Sequence, residues 1–135
     1  MSMAIFTPLK QIFHPKGDVF HGLKQSDPTF GGFGEAYFTT IQHGEIKGWK
    51  QHTKMLMNLI VPVGDVRFYV HDDVTARTEI FEIGAGNYGR LTIPPMHWVA
   101  FEGVSPSLNL VLNLASIEHD PEEAINAPIE RFPLG

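Results

Sequence analysis

The segment 46–54 carries the residues with the clearest potential for chemistry, and it reads Ile-Lys-Gly-Trp-Lys-Gln-His-Thr-Lys. In an extended strand the side chains alternate between two faces, so Lys50 and His52 share one face. Lys47 and Trp49 lie on the other face. A histidine exchanges protons near neutral pH, and a nearby ammonium stabilises a developing oxyanion. The spacing therefore predicts an acid/base pair; a solvated edge strand that carries three lysines is the alternative interpretation.

A second set of candidates lies on the predicted strand 65–71. Its side chains alternate between apolar and polar, as Val66, Arg67, Phe68, Tyr69, Val70 and His71. The polar face is either solvated or lines a cavity, where we expect Tyr69 to contact a ligand. Arg67 has the planar donors that hold a pyrophosphate through two hydrogen bonds. An ion pair between Arg67 and Glu79 or Glu82 is the alternative.

Aromatic and histidine side chains elsewhere are less specific signals. Trp98 has a flat face that could stack on a nucleotide base or a sugar, although tryptophans also pack in cores. Four further histidines are scattered along the chain and share no common spacing; they are His14, His21, His43 and His119. The chain has no cysteine, so a thiol nucleophile, a thiolate metal site and a disulfide are excluded.

Length and composition indicate one globular domain that spans residues 1–135. Hydrophobic residues make up 43% of the chain and charged residues 19%, which argues against disorder. The net charge of −5 disfavours nucleic acid and anionic membranes as partners. Residues 1–13 lack a basic segment followed by a long apolar run, so we expect a cytoplasmic protein.

The elements that must position these residues are predicted to be strands. Thirteen glycines and ten prolines divide the chain into short apolar runs, which favour an all-β barrel or sandwich. The predicted strands span 11–14, 18–24, 35–41, 46–52, 56–61, 65–71, 79–83, 90–93, 98–103 and 108–115.

Four segments outside the regular part of the predicted strands carry further predictions. Gly64 can adopt a positive φ and predicts a hairpin, and the Pro94-Pro95 pair predicts a turn. The glycine-rich segment 22–34 predicts a long loop able to cover a cavity. Asp120, followed by a proline and two glutamates, predicts the cap of one short C-terminal helix that ends by residue 128.

Three segments within 35–123 resemble the cupins that isomerise nucleotide-linked keto sugars, a family typified by dTDP-4-dehydrorhamnose 3,5-epimerase and the dTDP-4-keto-6-deoxyhexose 3,4-ketoisomerases. The first is Ile-Lys-Gly-Trp-Lys-Gln-His at 46–52, and the second is the run 52–73 with its Gly64 turn and Asp72-Asp73 pair. The third is Leu-Thr-Ile-Pro-Pro-Met-His-Trp at 91–98. The resemblance implies a jelly-roll barrel, usually a homodimer, that takes a nucleotide sugar as its small-molecule partner.

The resemblance also implies roles for individual residues, with two departures. The epimerases have their base where this chain has Lys50, and their phenolic acid falls at Asn113. The ketoisomerases resemble the chain more closely, because His52 matches the second histidine of their His-x-His and Tyr37 lies near their catalytic tyrosine. The implied roles are base or acid for His52, proton-transfer partner for Tyr37 and enolate stabiliser for Lys50.

Substrate contacts follow from the same resemblance. Lys47 and Arg67 would hold phosphate, and Trp98 and Asn113 would border the sugar. Metal-dependent cupins collect three or more ligands from both halves of the barrel. Here their first motif retains only His52, so no metal and no other cofactor is expected.

The first functional hypothesis is therefore a metal-independent epimerase or isomerase of a nucleotide-linked 4-keto-6-deoxy sugar, which acts by enolisation beside the keto group; the resemblance implies dTDP as the nucleotide. The relatives imply a place in polysaccharide biosynthesis. The second hypothesis is a catalytically altered cupin that binds a nucleotide sugar or another carbohydrate without turnover. A third, a metal-dependent cupin, requires a stoichiometric metal.

Overall fold

The computed structural model of the chain describes residues 3–135, and within that range it contains twelve β-strands and no α-helix. A single 3-10 turn, Ile129–Arg131, lies near the C-terminus. The strands are β1 (Ile5–Pro8), β2 (Gln11–Ile12), β3 (Val19–Phe20), β4 (Glu35–Thr40), β5 (Ile46–His52), β6 (Met57–Val63), β7 (Asp65–Asp72), β8 (Arg77–Gly84), β9 (Gly89–Ile93), β10 (Trp98–Gly103), β11 (Leu110–Ala115) and β12 (Ala124–Asn126).

Ten of the strands form two five-stranded antiparallel sheets. The first sheet has the order β1-β9-β6-β11-β4, and the second has the order β12-β5-β10-β7-β8. Strands β2 and β3 form a separate two-stranded ribbon. The all-β prediction is confirmed, and each of the ten predicted strands overlaps an observed one. Strands β1 and β12 were not predicted.

The core lies between the two sheets and follows the alternation of the sequence. Val66, Phe68 and Val70 of β7 are almost fully buried on the inner face of the second sheet. They pack in one cluster with inward-facing side chains of the first sheet, among them Leu59, Val61, Leu91, Ile93 and Val111. The polar stripe of β7 consequently lies on the outer face of the second sheet.

The C-terminal segment covers part of that outer face. Phe132 stacks on His71 with ring centroids 4.0 Å apart and also contacts Trp49 and Trp98. The indole N–H of Trp49 donates to the carbonyl oxygen of Ile129 at 2.9 Å. Both tryptophans are therefore core residues of a second apolar cluster outside the sheet.

The predicted C-terminal helix is wrong, although its capping signal is real. The side chain of Asp120 accepts a hydrogen bond from the backbone N–H of Glu122 at 3.0 Å, as an N-cap would. The turn stops there because the following residues pair with β5 as strand β12. Sheet hydrogen bonds thus replace the helical ones that the local sequence favours.

Two predicted connections also differ from the structure. Gly64 has φ +86 but joins strands of different sheets, so it forms a corner between the sheets and not a hairpin. The loop that contains residues 22–34 packs on the outer side of the first sheet, where buried Arg90 donates to Thr29 at 3.1 Å and lies 3.4 Å from Asp27. It does not line the main cavity.

The turn predicted at Pro94 and Pro95 is present, between β9 and β10. No helix in residues 3–135 has the length and hydropathy that crossing a membrane requires.

Candidate active site

A cavity of about 320 Å³ opens between the two sheets, and strands β4, β5, β6, β7, β10, β11 and β12 contribute to its wall. Most of the wall is apolar. The polar side chains that reach it include Tyr37, Lys47, Lys50, His52 and Asn113. The structure therefore brings together all three predicted catalytic residues and two of the five predicted substrate contacts.

His52 is a buried polar residue on the wall of this cavity, and its ring pairs with a buried carboxylate. It is 7% exposed, and its Nδ1 lies 2.8 Å from Oε1 of Glu123, which is 4% exposed. A carboxylate at Nδ1 fixes the ring orientation and holds the ring proton on that nitrogen. Nε2 is thereby left to accept a proton from a molecule in the cavity. The arrangement is a histidine–carboxylate dyad suited to general base catalysis.

Glu123 is itself held in place by the backbone. Its Oε2 accepts hydrogen bonds from the N–H groups of Lys54 at 2.9 Å and Met55 at 3.0 Å. Burial alone would raise the pKa of Glu123, but the hydrogen bonds from His52 and these two amides outweigh it and lower the pKa to about 2. The carboxylate is therefore ionised at neutral pH and stabilises a protonated His52.

Sequence reasoning missed Glu123 as a functional residue and placed it in the first turn of a helix. It is 71 residues from His52 along the chain, and no spacing links the two. The pairing of β12 with β5, in which Ala124 lies opposite His52, brings them together. The contact between Glu123 and His52 therefore depends on the register of the edge strand β12 and could not be predicted from local sequence.

Strand β5 positions the two lysines of the cavity. Lys50 and His52 share the inner face, and Trp49 lies on the outer face, as the period of two predicts. Lys47 was predicted on the face opposite Lys50 and His52, but it lines the same cavity. A bulge against β10 explains the difference: Lys50 pairs with Val99 whereas Lys47 pairs with Phe101, so one strand has an extra residue.

Tyr37 and Asn113 lie directly opposite each other on β4 and β11. The amide N–H of Asn113 donates to the phenol oxygen of Tyr37 at 3.0 Å. Burial raises the pKa of Tyr37, and the carboxylates of Glu35 and Glu123 raise it further, whereas the hydrogen bond from Asn113 lowers it. The phenol is therefore protonated at neutral pH and is available as a proton donor.

Three predicted substrate contacts lie outside this cavity, on the outer face of the second sheet. Arg67 donates to Glu82 at 2.8 Å, which is the ion pair that the sequence offered as the alternative. The Tyr69 hydroxyl donates to Glu102 at 2.7 Å, and the Trp98 indole donates to Asp73 at 2.8 Å. The structure therefore gives these residues partners of their own and does not bring them to the cavity; a role in substrate binding stays a prediction.

No group of three or more histidine, aspartate and glutamate side chains in residues 3–135 has an arrangement that could hold a metal ion. His97, in the region of the Pro94-Pro95 turn, is also buried. Its Nδ1 lies 3.2 Å and 3.1 Å from the carbonyl oxygens of Pro94 and Pro95, outside the main cavity. It does not complete a ligand set with His52.

Comparison with solved structures identifies proteins that are similar to this chain. A dTDP sugar isomerase from Desulfovibrio desulfuricans G20 is 32% identical to this chain, and the match covers 95% of this chain and 85% of that one with a TM-score of 0.90. The chain belongs to the family of dTDP-sugar isomerases. This result confirms the family resemblance that the sequence indicates.

More distant members of the dTDP-sugar isomerase and epimerase group share the fold. A sugar 3,4-ketoisomerase from Thermoanaerobacterium thermosaccharolyticum, solved with TDP, is 21% identical over 90% of this chain and 86% of that one, with a TM-score of 0.77. A dTDP-4-dehydrorhamnose 3,5-epimerase from Sulfolobus tokodaii is 16% identical over 94% and 78%, with a TM-score of 0.83. The cupin jelly-roll assignment is thereby confirmed. No family profile and no curated protein sequence matches the chain.

Proposed function

We propose that the protein is a metal-independent isomerase or epimerase of a dTDP-linked 4-keto-6-deoxy sugar and that it acts by enolisation beside the keto group. The observation that carries the proposal is the buried His52–Glu123 pair, 2.8 Å apart, on the wall of a cavity that also presents an ammonium and a phenol. The membership in a dTDP-sugar isomerase family supplies the substrate class.

The proposed reaction starts with a proton transfer from carbon to His52. A C–H bond next to a ketone is acidic because its electron pair is delocalised onto the carbonyl oxygen as an enolate. Nε2 of His52 takes the proton, and the carboxylate of Glu123 stabilises the imidazolium that results. The ammonium of Lys50 then neutralises charge on the enolate oxygen.

Tyr37 completes the reaction from the opposite sheet. It belongs to β4 in the first sheet, whereas His52 belongs to β5 in the second, so the two groups approach a bound sugar from different sides of the cavity. The phenol gives its proton to a carbon of the enolate and becomes a phenolate, which regains a proton from His52 directly or through solvent. Protonation of the same carbon from the other side inverts it. Protonation of the former carbonyl carbon, together with transfer of the neighbouring hydroxyl proton to the former carbonyl oxygen, moves the ketone.

The remaining contacts of the cavity suit the rest of the substrate. Its largely apolar wall fits a 6-deoxy sugar, which carries a methyl group in place of a hydroxyl. Lys47 donates to the backbone oxygen of Thr40 at 2.7 Å and lies 5.9 Å from the ring of Phe101. Its ammonium is thereby fixed at the cavity wall, where we propose that it attracts a phosphate of the nucleotide, with Asn113 bordering the sugar.

The experiment that tests this function is solvent-deuterium exchange into dTDP-4-keto-6-deoxyglucose, followed by NMR. We expect the wild type to exchange at C3 or C5 and His52→Gln to be slower by roughly 100-fold or more, because general base catalysis contributes about that much. His97→Gln is the matched control, since His97 is 8% exposed against 7% for His52 and lies outside the main cavity.

Three results separate the competing functions. Exchange that survives in His52→Gln contradicts the proposed base. Binding of the sugar nucleotide by the wild type without any exchange supports the alternative of a binding cupin without turnover. Exchange that falls after dialysis against EDTA, and returns with an added metal, contradicts metal independence.

We also infer that the protein is a cytoplasmic homodimer that serves carbohydrate biosynthesis, in keeping with its family. Exposed apolar side chains support the dimer. Phe13, beside the β2–β3 ribbon, is 79% exposed, and Phe38, on the outer side of β4, is 64% exposed. A two-stranded ribbon is marginally stable alone, and apolar patches of this kind mark contact surfaces.

A further inference from the structure

Within residues 3–135, Asn113 is one of two buried residues that have a side-chain polar atom without a hydrogen-bond partner; the other is Arg90, at Nε. Asn113 is 2% exposed, and its side-chain carbonyl oxygen has no hydrogen-bond partner in residues 3–135. Its amide nitrogen, in contrast, has two contacts: it donates to the Tyr37 oxygen at 3.0 Å and lies 3.7 Å from Sδ of Met55. An unpaired buried acceptor lowers the stability of the folded protein by about 1–3 kcal/mol, so its presence here calls for an explanation.

The direction of this hydrogen bond restricts where the proton of Tyr37 points. Because the phenol oxygen accepts from Asn113, its O–H must donate elsewhere. The partner in the protein is Sδ of Met55 at 3.9 Å, and a thioether is a weak acceptor. The cavity that Tyr37 and Asn113 both line is the other place to which the O–H can turn.

We propose that Asn113 is a positioning residue, whose amide N–H holds the Tyr37 oxygen as an acceptor and thereby directs the phenol O–H toward a ligand in the cavity. The unpaired carbonyl of Asn113 is the consequence of that orientation, because the amide cannot turn its oxygen to Tyr37 without losing this donor. The inference rests on the proposed function for the identity of the ligand, a keto sugar, and deepens it by assigning the group that orients the acid.

The charges around Tyr37 act in the opposite sense to Asn113. Burial and the carboxylates of Glu35 and Glu123 raise the pKa of Tyr37, and the Asn113 amide lowers it. The cationic or titratable groups that line the same cavity are Lys47, Lys50 and His52. In this setting the amide donor stabilises the phenolate that forms when Tyr37 gives up its proton, which makes the phenol a better acid.

The test is a direct titration of the phenol by its ultraviolet absorbance. The chain has three tyrosines, so the difference from Tyr37→Phe isolates the signal of Tyr37. We expect Asn113→Leu and Asn113→Ala to move its pKa upward, because each removes the donor and neither adds a charge. With a keto-sugar substrate we expect kcat to fall about 10-fold with KM changed less than about 2-fold, and the basic limb of the kcat profile to move to higher pH.

Met55→Leu is the control, because it conserves volume and leaves the amide donor in place. We expect it to leave the titration of Tyr37 unchanged. The smaller and neutral Asn113→Ala variant keeps the test decisive should Asn113→Leu not fold. An unchanged pKa in both variants overturns the proposal, and so does a downward shift, since that would mean that the amide carbonyl faces Tyr37.

The titration needs no substrate, so the two proposals can fail separately. A wild type without turnover of any keto sugar counts against the proposed function, while the upward shift still supports the orientation of Tyr37 by Asn113. Full turnover by a folded Asn113→Leu with an unmoved pH profile leaves the function intact and removes the role of Asn113.

Discussion

At the scale of single residues, the site depends on one buried carboxylate. The carboxylate of Glu123 accepts from the ring of His52 and from two backbone amides, and these three hydrogen bonds stabilise its charged form. Such a group resists protonation even though burial opposes its charge. The same contacts that orient the ring of His52 therefore also tie β12 to the segment that follows β5.

Acid stability tests this arrangement. The folded pKa of Glu123 is about 2 against 4.5 for the free side chain. Because the folded value is the lower one, the stabilisation is fully present above about pH 4.5 and is lost as the pH falls toward about 2. The shift corresponds to on the order of 3 kcal/mol at neutral pH. We expect Glu123→Gln to lose a stabilisation of this order in urea unfolding at pH 7 and to show a flatter acid limb.

The neighbouring carboxylate provides the control for that experiment. Glu122 is exposed, and Glu122→Gln removes the same charge without touching His52. We expect it to unfold as the wild type does. If Glu123→Gln were as stable as Glu122→Gln at pH 7 and lost stability over the same acid range, the hydrogen bonds of Glu123 would not hold its pKa down.

At the scale of elements, strand β5 decides which side chains face the cavity. Its inner face follows the regular alternation as far as Lys50, and the bulge before it brings Lys47 to the same side. Gly48 lies within the bulge and has a backbone φ of +153. Residues other than glycine rarely adopt this backbone conformation. A Cβ at this position would lie 2.5 Å from the Cβ of Ala100 on β10.

Gly48→Ala is therefore predicted to disturb the strand. We expect the unfolding free energy to fall by roughly 1–3 kcal/mol, because both the backbone conformation and the close approach of β10 oppose the added methyl group. Any exchange activity should fall as well, since Lys47 and Lys50 flank the bulge. Chemical denaturation measures the first effect and deuterium exchange the second.

Gly86→Ala is the matched substitution, because a Cβ there meets no atom within 4 Å. We expect it to change stability little. A Gly48→Ala variant that unfolds at the same denaturant concentration as Gly86→Ala would show that the bulge tolerates a side chain and that glycine is not required for the placement of Lys47.

At the scale of the whole molecule, the sandwich leaves a second set of apolar groups outside its core. The C-terminal segment covers one outer face, and Phe132 is 7% exposed as a result. The β2–β3 ribbon and the outer side of β4 have no such cover in residues 3–135, and Phe13 and Phe38 stand out there. In the proposed dimer, the second copy of the chain would cover these side chains.

Sedimentation tests the proposed dimer. The chain has a mass of 15.1 kDa. We expect the wild type at micromolar concentration to sediment as a species of twice that mass. Phe13→Asp combined with Phe38→Asp should shift it to the monomer, because buried carboxylates oppose association. Val74→Asp is the control, since Val74 is 88% exposed in the turn between β7 and β8. A wild type that sediments as a monomer contradicts the dimer.

The amino-acid sequence by itself determined the features that depend on local periodicity. Alternation of apolar and polar residues specifies strands and their buried face, so the inward placement of Phe68 and the shared face of Lys50 and His52 could be predicted. The resemblance of three short segments was enough for the family. These features depend on the backbone geometry of a few consecutive residues, which the local sequence expresses.

Only the tertiary structure decided what lies opposite each strand and what covers its outer face. It joined His52 to Glu123 and Tyr37 to Asn113, placed Arg67 away from the cavity, and turned a predicted helix into an edge strand. The physical reason is that pairing between distant strands satisfies backbone hydrogen bonds that local signals would assign elsewhere, and a shift of one residue in register exchanges the two faces of a strand.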